Sequence, residues 1–393
     1  MQKVTLKEIS EFIRTGKTPP TKDTKYFNGE VQWFTPGDLD KSKFLVKSAR
    51  TLTNLSFSDK KAAQYPSGTL LVACIGDIGK LGITRQKCSS NQQITGIKPK
   101  SNVDVSYLYY WFRYNKAVIQ NTANNAVVPI LNNKTLEQIK VPLLPLAEQQ
   151  KIAAILDAAD SLRQKDQQLV ERYTALSQSL FLEMFGDPVT NQHGFEKGTI
   201  RDFISSANYG TSAKAQDGGM FPYLRMNNIT YQGDMDFGSL KFINLAESEK
   251  PKYLVKKGDV LFNRTNSKEL VGKTAIYAET AEMAIAGYLI RLRVNELANP
   301  YFIWGCLNSK HGKATLAHMC KSIVGMANIN AQEVQNIESV LPPVSLQNQF
   351  AERIQLIEAQ KQQAKLSLAK SEALFNSLLQ RAFTGELTAK LMA

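Results

Sequence analysis

The stretch V-P-L-L-P-L-A-E-Q-Q-K-I-A-A-I-L-D, residues 141–157, joins a proline-interrupted apolar run to a strongly helical segment. A second stretch of the same design, L-P-P-V-S-L-Q-N-Q-F-A-E-R-I-Q-L-I, occupies residues 341–357. At an offset of 200 residues three pairs coincide: Pro142 with Pro342, Leu146 with Leu346, and Gln149 with Gln349. Because proline ends strands and hinders an early helix start, each stretch predicts a strand end followed by a long helix.

The rest of the chain repeats as well. T-L-K-E-I at 5–9 is echoed by T-I-R-D-F at 199–203, and Gly16 and Gly210 keep the same offset of 194. An offset of 190 relates W-F-T-P-G-D-L (33–39) to Y-L-R-M-N-N-I (223–229), and S-G-T-L-L-V-A (67–73) to K-G-D-V-L-F-N (257–263). This period is too long for a solenoid. We therefore interpret the chain as two copies of one domain-plus-helix unit.

Each copy has the pattern of a mixed α/β domain. Short β-like runs at 69–75 and 259–263 follow glycine turns, and a short aromatic helix follows at 105–119 and at 299–310. Four aromatic residues of the first helix recur at spacings of three and four, which favours a core stripe over a base-stacking surface: Tyr107, Tyr110, Trp111 and Tyr114.

Residues 147–185 and 346–384 contain neither Gly nor Pro and end at Gly186 and Gly385, as helices with glycine caps do. Both carry a heptad pattern. We place the seam at Ile155, Leu162, Leu169, Leu176, Ile354, Ile357, Leu368 and Phe375. Each helix is about 57 Å long at ~1.5 Å per residue. The pattern favours mutual antiparallel pairing over the alternative in which each helix packs only on its own domain.

The chain has 393 residues and a net charge of +13. Residues 1–146 hold 21 Lys and Arg against 10 Asp and Glu, and residues 191–346 hold 17 against 14. A basic surface of this kind suits a polyanion, with double-stranded DNA the leading choice. Two basic domains joined by long helices suit a split target, that is, a DNA sequence whose two parts are separated along one duplex.

Loops rich in Arg, Lys, Asn, Gln and Ser supply the groups that contact phosphates and base edges. The alternative for any single loop is a solvated polar turn. The candidate DNA-binding residues are Thr18, Lys22, Lys80, Arg85, Asn91, Gln92, Asn124, Asn125, Ser212, Lys214, Arg225, Arg264, Asn266, Ser267, Lys268, Tyr288, Lys321 and Ser322.

Four motifs together resemble those of the specificity subunits of type I restriction–modification systems. They are S-G-T-L-L-V-A-C-I-G-D-I-G-K-L-G-I (67–83), I-K-V-P-L-L-P-L-A-E-Q-Q-K-I (139–152), L-F-L-E-M-F-G-D-P (180–188) and L-L-Q-R-A-F-T-G-E-L (378–387). The resemblance extends over nearly the whole chain. It implies two α/β target-recognition domains separated by two antiparallel coiled-coil spacer helices, with pseudo-two-fold internal repetition.

The resemblance divides the chain into target-recognition domain 1 (1–146), a central spacer helix (147–186), target-recognition domain 2 (187–345), a C-terminal spacer helix (346–386) and a tail (387–393). It also implies partners. Two methylation subunits would dock on the helices, and restriction and translocase subunits would complete the complex. No cofactor is expected in this chain, since S-adenosylmethionine and ATP would be bound by the partner subunits.

The sequence argues against an independent enzyme. N-S-K-E-L-V-G-K-T (266–274) is only the end of a P-loop and precedes a predicted strand. The spacing of Cys306, His311, His318 and Cys320 matches no common zinc site, so no metal is expected. Asn299-Pro300-Tyr301 is only a fragment of an amino-methyltransferase motif. The runner-up function is a helical scaffold that pairs partners without reading DNA.

The sequence contains no apolar run of the ~18–20 residues that cross a bilayer, and the N-terminal segment has no apolar signal core. Its four cysteines contain no C-x-x-C pair, which is typical of reduced thiols. We therefore expect a cytoplasmic protein without a membrane partner.

Overall fold

The two longest elements are the predicted helices, Leu146–Phe185 and Val344–Thr384. The computed structural model describes residues 2–123, 128–267, 269–323 and 326–389. Contacts divide the chain into unit 1 (residues 1–165 and 368–393) and unit 2 (residues 166–367). Each unit therefore contains one end of each long helix.

Up to the end of the first long helix the elements are β1 (Lys3–Thr5), α1 (Leu6–Ile9), β2 (Ser10–Thr15), β3 (Phe27–Phe34), β4 (Phe44–Leu45), β5 (Arg50–Leu52), α2 (Leu55–Ser58), β6 (Leu70–Ala73), β7 (Leu81–Thr84), β8 (Ser89–Ser90), β9 (Ile94–Pro99), α3 (Val105–Tyr114), α4 (Lys116–Asn121), α5 (Asn133–Gln138), β10 (Lys140–Pro142) and α6 (Leu146–Phe185).

The elements that follow are β11 (Glu196–Thr199), β12 (Ile204–Tyr209), β13 (Phe221–Leu224), β14 (Lys241–Ile243), α7 (Lys250–Tyr253), β15 (Val260–Asn263), β16 (Thr265–Asn266), β17 (Thr274–Ile276), β18 (Ala284–Ile285), β19 (Leu289–Val294), α8 (Pro300–Asn308), α9 (Lys310–Met319), β20 (Lys321–Ile323), β21 (Met326–Asn328), α10 (Ala331–Gln335), β22 (Glu338–Leu341), α11 (Val344–Thr384) and α12 (Glu386–Ala389).

The sheets of the two units have matching topologies. The larger sheet has the order β2-β9-β6-β7-β4 in unit 1 and β12-β19-β15-β17 in unit 2. A three-stranded sheet, β5-β3-β8 or β14-β13-β18, and a two-stranded sheet, β1-β10 or β11-β22, accompany it. The predicted duplication and the mixed α/β class are therefore confirmed.

Small features repeat at the predicted offsets. The first strand of each larger sheet is bulged, between Ser10 and Phe12 in unit 1 and between Ile204 and Ser206 in unit 2. Gly16 and Gly210 follow these strands. A Cβ would lie 2.1 Å from a backbone oxygen at Gly16 and 2.2 Å from one at Gly210, so neither position has room for a side chain. The two glycines are thus explained by close backbone approach.

One buried glutamine ties the start of α6 to the globular part of unit 1. The side-chain amide of Gln149 donates to the carbonyl oxygens of Asn102 (3.1 Å) and Leu144 (2.7 Å). Its oxygen accepts from the backbone N–H of Asp104 at 2.9 Å. A fully buried side chain therefore satisfies three backbone groups from two segments of the fold.

Gln347 does the same at the start of α11. Its amide donates to the carbonyl oxygens of Leu297 (3.0 Å) and Pro342 (2.9 Å), and its oxygen accepts from the N–H of Asn299 at 2.9 Å. The equivalent of Gln149 is thus Gln347, at an offset of 198, and the alignment with Gln349 was wrong. Two adjacent prolines and two closely spaced glutamines permit either register when only the letters are compared.

The two long helices pair in both units. In unit 1, Ile152 and Leu156 of α6 share a buried cluster with Phe375 and Ala382 of α11. In unit 2, the rings of Phe181 and Phe185 lie 5.6 and 5.2 Å from that of Phe350. The start of α6 therefore packs with the end of α11, and the end of α6 with the start of α11. This confirms the predicted antiparallel pairing.

The seam of α6 differs from the prediction. Leu162, Leu169 and Leu176 are 46%, 40% and 48% exposed, so their assignment to the seam was wrong. The buried side of α6 runs through Ile152, Leu156, Ala159, Asp160, Asp166, Ser177 and Leu180. Four of these residues, Ile152, Ala159, Asp166 and Leu180, share the other position of the predicted heptad, which is therefore confirmed. The heptad fit gave its second position to leucines, whereas the helix pair buries Leu156 and Ser177, each one residue after that position.

The other predicted seam positions lie toward the packed side of the helices. Ile354 and Phe375 are buried, and Ile155, Ile357 and Leu368 are half-buried.

A buried ion-pair cluster explains how α11 accommodates a lysine in its seam. The Lys361 side chain is 2% exposed, and its ammonium lies 2.9 Å from Asp234 and 3.0 Å from Glu358. The Lys365 ammonium lies 2.9 Å from the other oxygen of Asp234. Burial opposes ionisation of Asp234, but the two ammonium groups outweigh it and lower the pKa of this carboxyl. The ionised cluster fixes α11 to the loop that follows β13.

The short aromatic helix is mostly core, as predicted. Tyr107, Tyr110 and Trp111 are buried, but Tyr114 is 39% exposed and stacks on Phe383, with ring centroids 5.5 Å apart. The predicted helix at 105–119 is divided into α3 and α4 at Asn115. Among the described residues, no helix is both long and apolar enough to span a bilayer.

Replacing Gln149 or Gln347 by Leu will destabilise the protein, because each change leaves three backbone groups without their partner. We expect about 1–3 kcal/mol for each buried group that stays unsatisfied, measured by urea unfolding. Gln150 and Gln349 are exposed near the same helix starts and provide matched controls. An equal loss in Q349L and Q347L would contradict the assigned register.

Candidate nucleic-acid interface

Five of the predicted DNA-binding residues of unit 2 meet in one cleft of about 490 Å³. They come from four separate segments of the chain and are Ser212, Lys214, Arg225, Arg264 and Tyr288. The remaining lining residues are Thr211, Ala213, Ala215, Tyr223, Thr265, Ala286, Gly287 and Asn328. Among the described residues that line the cleft, three side chains are cationic, two are tyrosines and none is a carboxylate, which suits a polyanion.

The cleft lies where several strands begin or end. The loop after β12 supplies one wall, and the tight turn before β19 supplies another. The Tyr223 hydroxyl donates to the carbonyl oxygens of Thr211 (2.8 Å) and Ala213 (3.1 Å), which holds the first loop. Burial raises the pKa of Tyr223, so this hydroxyl remains a donor at neutral pH. The walls are therefore positioned by buried bonds, while Lys214 and Tyr288 are exposed.

The two arginines of the cleft are held differently. The Arg225 guanidinium donates to the carbonyl oxygen of Ser239 at 3.1 Å. The Arg264 guanidinium lies 4.7 Å from the ring centroid of Tyr209, a cation–π contact. The Nε groups of both arginines are buried and have no hydrogen-bond partner in the described part of the protein.

Unit 1 brings together a smaller set of its predicted residues. The Thr18 hydroxyl donates to the side-chain oxygen of Gln92, and Gln92 is exposed. Asn91 is 8% exposed, and its amide is used locally in bonds to the side chain (2.8 Å) and backbone N–H (3.1 Å) of Gln93. The loop 91–93 is equivalent to the turn before β19 of unit 2, so the two units present polar groups at corresponding places.

Three other predicted residues of unit 1 have contacts of their own or are exposed to solvent. Lys22 is exposed in a turn. Arg85 is exposed, and its guanidinium lies 3.7 Å from the centroid of the Phe44 ring. Lys80 forms an ion pair with Asp77 at 2.7 Å, and this hydrogen bond lowers the pKa of the Asp77 carboxyl.

The remaining predictions concern unit 2 beside the cleft and two segments outside the described residues. Asn266 and Ser267 are half-buried, and the Ser267 N–H donates to the Asn266 side chain at 2.9 Å. Lys321 and Ser322 belong to β20, in the sheet β16-β21-β20 whose middle strand provides Asn328 to the cleft. Asn124, Asn125 and Lys268 lie outside the described residues.

Sequence reasoning missed Tyr209, Tyr223 and Asn328. Tyr209 supports Arg264, and its hydroxyl oxygen accepts from the Ala331 N–H at 2.8 Å. Asn328 pairs with Thr265 across two strands. No sequence pattern marks these residues. Asn328 and Tyr209 bond to groups 63 and 122 positions away along the chain, and Tyr223 bonds to backbone oxygens of the loop 10 and 12 positions before it.

The segments that resemble enzyme motifs have structures that do not match those motifs. Thr274 begins strand β17, as predicted, so no helix follows the P-loop-like segment. Burial raises the pKa of the Cys306 thiol to about 12. Among the described residues, no group of three His, Cys, Asp or Glu side chains could hold a metal ion.

Comparison with known proteins gives a consistent result. A family model described as the type I restriction modification DNA specificity domain matches residues 1–172 and again 192–367. The MjaIX type I restriction enzyme specificity subunit of Methanocaldococcus jannaschii is 23% identical over 387 residues, covering 91% of this chain and 88% of the relative. The EcoKI specificity subunit of Escherichia coli is 26% identical over 295 residues, covering 70% of this chain and 63% of the relative.

Solved structures share the fold. The type I restriction–modification S subunit from M. genitalium has a TM-score of 0.61 at 16% identity, covering 97% of this chain and 96% of that one. A chain from a study of complex assembly and conformational transition of the type I restriction–modification system has a TM-score of 0.53 at 16% identity, covering 98% of both chains.

Proposed function

The chain belongs to the type I restriction–modification DNA specificity family, and on that premise we propose that each of its two units reads one half of a split DNA target. The observation that carries the proposal is the duplication itself. Equivalent backbone positions in the two units present different polar side chains, so two copies of one scaffold suit two different half-sites. The cationic cleft of unit 2 and the Thr18–Gln92 loop of unit 1 are the proposed contact regions.

We propose that the helix pair sets the gap between the half-sites. Each helix contributes one end to each unit, and buried contacts fix both ends: Phe375 in unit 1 and Phe350 in unit 2. A paired helix resists bending better than a single one. The number of helical residues, rather than the recognition loops, would then determine the gap.

We propose that methylation subunits dock on the outer side of the helices. Leu169 and Leu176 are 40% and 48% exposed on α6, seven residues apart and therefore on one face. Rows of exposed leucine on a soluble protein commonly mark a contact surface. Their placement outside the seam makes them available to a partner.

Further parts of the proposal follow from the family. The chain itself would be non-catalytic, with S-adenosylmethionine and ATP bound by methylation and translocase subunits in the cytoplasm. The scaffold alternative requires partner docking without DNA contact. Nothing observed favours that alternative, and the cationic cleft has no role in it.

Methylome mapping tests the function directly. Co-expression of the chain with the methylation subunit of its own system in a methylation-deficient host will produce one split, asymmetric methylated motif. Single-molecule sequencing of the host genome measures the motif. Absence of a new motif, despite a purified complex of both subunits, would support the scaffold instead.

A heptad insertion tests the spacing role. Adding seven residues to both α6 and α11 preserves the seam and lengthens each helix by about 10 Å at ~1.5 Å per residue. We expect the gap to grow by about three base pairs at ~3.4 Å each, with both half-sites unchanged. Insertion into only one helix leaves the two helices with different lengths between the units, so their buried residues no longer face each other, and we expect methylation to be lost. A changed half-site sequence would count against the spacing role.

Polar substitution tests the docking surface. Leu169→Ser and Leu176→Ser together will reduce co-purification of the methylation subunit at least several-fold, while DNA binding by the specificity chain stays unchanged. The thermal midpoint should also stay close to that of the wild type, because both positions are outside the seam. Undiminished co-purification would remove this row of leucines from the interface.

A further inference from the structure

The charged side chains that line the cleft of unit 2 in the described part of the protein are all hydrogen-bond donors. They are Lys214, Arg225 and Arg264, and the described lining residues include no Asp or Glu. The tyrosines of the cleft add hydroxyls, but the Tyr223 hydroxyl is already used by the backbone of the first wall. A ligand group that fits here presents acceptors.

Arg264 is held in place by its backbone and by a ring contact, while its guanidinium has no hydrogen-bond partner among the described residues. Its backbone is held on both sides, since its N–H donates to Tyr288 O at 3.0 Å and its carbonyl accepts from Ile329 N at 2.9 Å. Its guanidinium stacks over Tyr209 at 4.7 Å, and Tyr209 is held by Ala331. Within the described residues, the guanidinium forms no hydrogen bond or ion pair, and its Nε is buried without an acceptor.

The other two cations differ from Arg264. Arg225 donates one terminal nitrogen to Ser239 and is thereby partly satisfied within the protein. Lys214 is exposed on the first wall and has a single ammonium rather than a planar fork. Arg264 alone of the three combines a fixed stack with two terminal nitrogens that are not engaged by the described part of the chain.

The guanidinium is a planar group with two parallel donors and no acceptor, so it matches a base edge that presents two acceptors in the major groove. Guanine presents two acceptors there, O6 and N7, whereas adenine presents one acceptor and one donor. We propose that Arg264 reads a guanine in the half-site of unit 2. The inference rests on the proposed function and assigns a specificity-determining residue within it.

Unit 1 cannot read a base in this way. Cys74 occupies the position equivalent to Arg264, since its N–H donates to Gln93 O at 2.8 Å and its carbonyl accepts from Leu131 N at 2.8 Å. Cys74 is 3% exposed, and burial raises the pKa of its thiol to about 11, so the side chain is a buried neutral thiol at neutral pH. A thiol has no cationic fork of donors. The guanine contact therefore distinguishes the two halves of the target.

The test uses the full chain in complex with its methylation subunit and a duplex carrying the motif found by methylome mapping. A photo-crosslinking residue at Tyr288 identifies the half-site that unit 2 contacts. Each guanine in that half is then replaced singly by 7-deazaguanine, which lacks the N7 acceptor. At one guanine, we expect binding by the wild type to weaken about tenfold, and binding by R264A to be unaffected.

R264K separates base reading from phosphate binding, because it keeps the charge and loses the fork. Under the proposal R264K loses discrimination at that guanine by about 10- to 100-fold, while the salt dependence of binding stays close to that of the wild type. Retained discrimination in R264K would assign Arg264 to a phosphate and overturn the proposal. Preserved preference for the other half-site shows that each variant is folded.

Two failures remain distinguishable. A split target whose unit 2 half contains no guanine, or whose 7-deazaguanine effects are equal in the wild type and R264A, overturns the guanine assignment alone. Absence of any split target contradicts the two-reader function and, with it, the assignment.

Discussion

The joint between each globular part and its long helix depends on one buried side-chain amide. Gln149 and Gln347 each satisfy three backbone groups that would otherwise be buried without partners at a helix start. An amide is suited to this task because it donates twice and accepts at the same time. Each glutamine therefore ties the first turn of its helix to the neighbouring backbone of its own unit by three hydrogen bonds.

The helix pair is held by aromatic contacts at its ends and by polar contacts within its seam. Phe350 and Phe375 pack against the domain cores, whereas Asp160, Ser177 and Lys361 are buried in between. Asp160 accepts from Arg163, and Lys361 is surrounded by carboxylates, so most of the buried charge is compensated. With these groups in the seam, Leu162, Leu169 and Leu176 of α6 stay exposed while the helices remain paired.

Because the fold is duplicated, the two units share a backbone scaffold while the side chains at equivalent positions differ. The backbone bonds around Arg264 recur around Cys74, and those around Arg225 recur around Thr35, where the N–H donates to a side-chain oxygen three residues on. Arg264, Arg225 and their equivalents in unit 1 are thus each held through their own backbone groups, which every residue provides. The side chains at these positions are free to differ, and the chemistry of one unit diverges from that of the other while the topology stays the same.

The sequence by itself determined the duplication, the α/β class, both long helices and their glycine ends, because glycine, proline and periodic apolar residues act locally. It also identified five of the residues that line the cleft of unit 2, since basic and amide-rich loops are recognisable from composition. Only the tertiary structure decided the true register of the repeat, the polar seam and the exposure of Leu162, Leu169 and Leu176. Likewise, the support of Arg264 by Tyr209 joins strand β12 to the end of β15, far apart along the chain. Such features depend on contacts between residues that are distant along the chain, and a local sequence pattern carries no information about those contacts.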